Sequence, residues 1–108
     1  MDKREVINLA KTYAQAVKLK FGHAKIILFG SYAKGNHNED SDIDLAVILD
    51  DFERLDKTQL DLMRLRRPID SRIEPHPFKK GDFNVNNPLF SEIMKYGQNI
   101  EPEKTVDL

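Results

Sequence analysis

Gly30-Ser31 closes an apolar run, and about a dozen residues later Asp42 and Asp44 open another, in the segment FGSYAKGNHNEDSDIDLAVIL. Glycine admits positive φ and a close approach of backbone to a ligand, and a serine hydroxyl beside free N–H groups donates to phosphate oxygens. Residues two apart in a strand point to the same side. Asp42 and Asp44 therefore present both carboxylates to one ion, while Ile43 and Leu45 turn the other way. Carboxylates held close repel each other, and a divalent cation relieves the repulsion. Mg²⁺ suits such a pair, because it takes a few carboxylates and fills its remaining shell with water and phosphate oxygens. The combination predicts metal-dependent nucleotide chemistry.

Competing readings of the same residues fail on spacing. Asp40, Asp42 and Asp44 have the D-x-D-x-D start of a calcium loop, but Leu45 stands where that loop needs glycine and Asp51 where it needs glutamate. Gly30 and Gly35 resemble half of a P-loop, yet Asn36-His37 replaces the required Lys-Ser/Thr. His23, His37 and His76 lack zinc-ligand spacing. His76 stands two residues after Glu74, where it could line a site, but a capping or surface role is the favoured reading. The absence of cysteine excludes disulfides, thiolate metal sites and thiol nucleophiles.

The elements that must position these residues follow from periodicity. Val6, Ile7, Ala10, Tyr13, Ala14, Val17 and Phe21 recur at helical spacing over residues 2–21, ended by Gly22. Residues 24–29 (AKIILF) and 43–49 read as buried strands separated by a polar, turn-rich loop. A second helix is expected over 53–65. A third strand is expected over 69–76, ended by Pro75 and Pro77. Residues 79–87 read as loop, and Pro88 opens a last helix to about Tyr96, stopped by Gly97. The tail, 101–108, is charged and expected to be flexible. At 108 residues, 40% hydrophobic and 32% charged, the chain is one small domain, 1–108, of mixed α/β (α+β) class, with its core at about 20–97. A net charge of −1 gives no global pull toward nucleic acid or membrane. No apolar stretch approaches a membrane span or signal-peptide core, so the cytoplasm is the expected location.

GSYAKG followed by SDIDLAVIL resembles the minimal nucleotidyltransferase branch of the polymerase-beta-like superfamily, whose pattern is hydrophobic-G-S, about ten residues, then D-h-D-h. The resemblance implies a small mixed sheet flanked by helices. It also implies three carboxylates holding two Mg²⁺ ions, and transfer of a nucleoside monophosphate from ATP to a hydroxyl with release of pyrophosphate. It assigns Gly30 and Ser31 to the triphosphate and Asp42 and Asp44 to metal. The third carboxylate is expected on the next strand, where Asp70 and Glu74 compete. Glu74 is preferred for its distance to the last helix and its place near the strand's C-terminal end. Many relatives have Arg where this chain has Tyr32, with Lys34 or Arg72 as replacement cations.

Relatives of this size often pair with a small helical HEPN-type protein as toxin and antitoxin, the transferase adenylylating its partner, and the resemblance implies such a partner here. Two classes of function stay open: an active transferase of that kind, and a binding-only antitoxin, to which Tyr32 lends the only support. A homo-oligomer is also open. The basic residues from Arg64 to Lys80 lack the interleaved aromatics of a nucleic-acid surface, so no such partner is expected.

Overall fold

In the computed structural model, which describes residues 1–102, helix α1 (Lys3–Phe21) begins at Asp2. The Asp2 carboxylate accepts from the Glu5 N–H at 2.9 Å and caps the helix. Val6, Ala10, Tyr13, Ala14 and Val17 form its buried stripe, as the spacing predicts. Strands β1 (Ala24–Phe29) and β2 (Ile43–Leu49) coincide with the expected runs. Apart from Lys25 and Asp44 both are apolar, because both faces of the sheet are covered. Ile26, Leu28, Ile43, Leu45, Val47 and Leu49 pack toward α1 and α3 (Leu55–Leu65). Ile27, Phe29, Ala46 and Ile48 pack on the opposite side with Ile93 of helix α4 (Phe90–Tyr96).

The loop after β1 contains one short helix that periodicity does not reveal, α2 (Ser31–Lys34), entered through Gly30 and left through Gly35. Four residues are too few to show a helical period. Strand β3 (Ile73–Lys79) starts later than expected and continues through both prolines. The expected start fails because residues 69–72 form a turn. The Asp70 N–H donates to the Arg66 carbonyl, and the Asp70 side chain accepts from the Arg72 N–H at 2.8 Å.

The prolines are tolerated because the sheet order is β3-β2-β1-β4, which leaves β3 at an edge. The Ile43 N–H donates to the Arg72 carbonyl, so even-numbered residues of this segment face β2, and the missing N–H groups of Pro75 and Pro77 fall on the outer side. Outward carbonyls are also occupied: Arg66 donates to that of Ile73 (3.0 Å) and Gln59 to that of Pro75 (3.2 Å). The edge is thereby closed to a further strand.

After a 3₁₀ turn (Lys80–Asp82), helix α4 (Phe90–Tyr96) begins two residues past Pro88. The Asn87 side chain orders that approach by accepting from the Leu89 N–H. Beyond Gly97 the chain forms a fourth strand, β4 (Gln98–Ile100), which pairs antiparallel with β1 and buries Ile100. Three residues are again too short for a pattern. The sheet is mixed, β1 running antiparallel to β2 and β4, and β2 parallel to β3. No described helix is long and apolar enough to cross a membrane. Of the tail expected to be flexible, residues 103–108 lie outside the described residues.

Candidate active site

Because β2 and β3 are parallel and β1 runs opposite to both, the starts of β2 and β3 and the end of β1 lie at one end of the sheet. The register pairs Asp44 with Glu74 on one side and with Phe29 on the other. Asp42 precedes β2 by one residue, and Gly30 follows Phe29 directly. This topology brings Gly30, Ser31, Asp42, Asp44 and Glu74 together. Glu74 therefore stands near the N-terminal start of its strand, not near the C-terminal end that the sequence suggested. Asp70 does not share its strand face. It lies in the preceding turn, where Arg72 donates to both of its carboxylate oxygens at 3.0 and 2.8 Å and holds its pKa below the usual carboxylate value.

The backbone at Gly30 adopts φ 75°, ψ −153°, a region that L side chains rarely enter. Space demands glycine independently, because a Cβ at this position would overlap the Asp44 carboxylate. Gly30 thus lets the end of β1 lie directly against an acidic side chain of β2. Ser31 is the first residue of α2, where helix geometry leaves backbone N–H groups without intrahelical partners.

The three carboxylates repel one another. Glu74 titrates above its ordinary value, first because of desolvation and then because Asp42 and Asp44 oppose its ionisation. Its carboxyl lies within hydrogen-bonding reach of Asp42. Asp44 instead accepts from His76, with Nε2 at 3.1 Å from Oδ1. His76 therefore lies in the site, against the favoured capping or surface reading. Strand alternation carried part of that information, since residues 74 and 76 share a face, but the partner, Asp44, lies on another strand 32 residues earlier.

Among the described residues, no three His, Asp or Glu side chains are already gathered around one point as metal ligands. The donor set nevertheless fits a hard cation: clustered carboxylates, one with its ionisation opposed by the other two, are the charge arrangement a divalent ion would relieve.

The cations proposed to replace an arginine at position 32 are engaged elsewhere. Lys34 pairs with Glu92 and lies over the Tyr96 ring, and Arg72 is bound to Asp70. Tyr32 itself is buried in the core and stacks on His37, ring centroids 4.3 Å apart. Beside Glu74 and His76 a groove of about 680 Å³ runs along the outer side of β3, with Leu55, Gln59, Phe78 and Leu89 among its walls.

Residues 10–100 match the family described as the nucleotidyltransferase domain. The chain belongs to that family. Two similar proteins come from Methanocaldococcus jannaschii, and both carry the name putative protein adenylyltransferase. One, MJ0141, is 29% identical over 98 residues, covering 86% of this nucleotidyltransferase and 96% of the relative. The other, MJ1305, is 41% identical over 104 residues, covering 94% of this chain but only 56% of the relative's length.

Among solved structures, a toxin–antitoxin crystal structure with AMP-PNP aligns at TM-score 0.62 and 18% identity, covering 96% of this chain and 76% of that one. A mutant of the toxin–antitoxin MntA-HpeT aligns at TM-score 0.61 and 22% identity, covering 84% and 70% respectively. These likenesses confirm the mixed sheet flanked by helices that the sequence implies.

Proposed function

We propose that this nucleotidyltransferase moves AMP from Mg²⁺-bound ATP to a hydroxyl of a partner protein, as the antitoxin of a pair with a small helical HEPN-type protein. The observation that carries the reading is the convergence of Asp42, Asp44 and Glu74 at one end of the sheet, against the Gly30-Ser31 turn. The naming of its relatives as protein adenylyltransferases and the toxin–antitoxin context of the structural neighbours support the acceptor and the partner.

In this reading Asp42, Asp44 and Glu74 would hold two Mg²⁺ ions, which supply charge neutralisation for the attacking and leaving oxygens. The Gly30-Ser31 turn orients the triphosphate through backbone N–H groups and the Ser31 hydroxyl. Glu74 lies on the β3 side, away from that turn, and accepts the proton of the acceptor hydroxyl. The hydroxyl oxygen bonds to the α-phosphorus as the bond to the β-phosphate oxygen breaks, and pyrophosphate leaves. The groove beside Glu74 gives the acceptor a route from the side opposite the phosphate turn.

The test is to incubate the protein with Mg²⁺, ATP labelled at the α-phosphate and the product of the adjacent gene. The partner is expected to acquire label, and Asp42→Ala with Asp44→Ala to abolish it. Label that survives the double substitution overturns the assignment. Partner binding that ignores nucleotide, without any transfer, would mark a binding-only antitoxin instead.

A further inference from the structure

We propose that His76 is a positioning residue that presets the orientation of Asp44 for its ion, an inference that rests on the metal role given to Asp44 above. A carboxylate only accepts, so at 3.1 Å the His76 ring donates Nε2–H to Asp44 Oδ1. Both the protonated ring and the neutral tautomer with hydrogen on Nε2 carry that donor, so the contact needs no particular charge.

The ring is itself held in place. It meets Phe29 edge-on, centroids 5.0 Å apart at 65°, and Phe29 is the antiparallel partner of Asp44. On β3 His76 pairs with Ala46, one same-face step along from the Asp44–Glu74 pair, which sets it diagonally beside Asp44. From the β1 side the same carboxylate is confined by Gly30, where even a Cβ would overlap Oδ2.

Asp44 is thus gripped between its two neighbouring strands. Asp42 is exposed and meets Glu74 instead. A ligand held this way meets an ion already oriented, and loss of a ligating group's hydrogen-bond partner typically costs about 10- to 100-fold in metal affinity.

Mn²⁺ is the probe, with free and bound ion separated by electron paramagnetic resonance in the presence of ATP. His76→Phe keeps a ring against Phe29 but removes the donor, whereas His76→Gln supplies an amide N–H in its place. His76→Phe is expected to weaken Mn²⁺ binding about ten- to hundredfold, with His76→Gln recovering most of the loss. Circular dichroism and thermal melting confirm the fold of each variant, and His76→Ala replaces His76→Phe should the latter fail to fold. Undiminished Mn²⁺ binding without the donor overturns the proposal. So does failure of His76→Gln to recover affinity, which would point to a direct imidazole ligand. Equal Mn²⁺ binding by the native protein and Asp44→Ala removes the metal role of Asp44 itself, and the role of His76 with it.

Discussion

Gly30 excludes a side chain on two independent counts, its dihedral angles and its contact with Asp44. Gly30→Ala is expected to destabilise the fold by about 2 kcal/mol from backbone strain. It should also displace Asp44, so that Mg²⁺-ATP no longer raises the melting temperature. Retained stabilisation by Mg²⁺-ATP would show that the site tolerates a methyl group here. Glu74 gives the opposite sign in stability. Its pKa is raised in the fold, so the stability it contributes is present at low pH and is lost as pH rises through its titration, when its charge meets Asp42 and Asp44. In chelator, Glu74→Gln should therefore melt a few degrees above the native protein at pH 8, and the gap should close toward pH 4. A gap independent of pH would show that the carboxylates do not repel as described.

At the level of the elements, the parallel β2–β3 pair makes the site and the turn before β3 only supports it. Asp70 and Glu74 separate those roles. Asp70 ties the turn to Arg72, and its lowered pKa means that this contribution is present at neutral pH and lost on acidification through that lowered value. Asp70→Ala should cost about 1 kcal/mol in urea denaturation, given a partly exposed Arg72, and leave nucleotidyl transfer intact. Glu74→Ala should abolish transfer without such a loss, and the reverse pattern would exchange the two assignments. The prolines of β3 are informative at this scale too. They read as terminators in a linear pattern, yet at a sheet edge their missing donors fall where no partner strand is needed.

Across the whole molecule, Tyr13 joins the first helix to the third, its hydroxyl donating to the Leu62 carbonyl at 2.7 Å in a buried setting. Tyr13→Phe leaves that carbonyl without its partner and should lower stability by about 1–2 kcal/mol, measured by urea unfolding, without altering nucleotide binding. An unchanged midpoint would show that this bond does not hold the layers together.

The two buried strands were legible as short apolar runs, the first helix from its 3.6-residue period, and the G-S and D-x-D residues from their types and spacing, none of which needs knowledge of neighbours. The helix after Gly30 and the strand at Gln98–Ile100 were not, being shorter than any period they could display. Glu74 could be preferred to Asp70 from the chain alone, but on a place near its strand's C-terminal end that the structure does not bear out; the parallel register instead sets Glu74 opposite Asp44 and leaves Asp70 in a turn. His76 belongs to the same class. Its bond to Asp44 joins residues 32 apart in the chain, and contacts of that range exist only once the strands have chosen their neighbours.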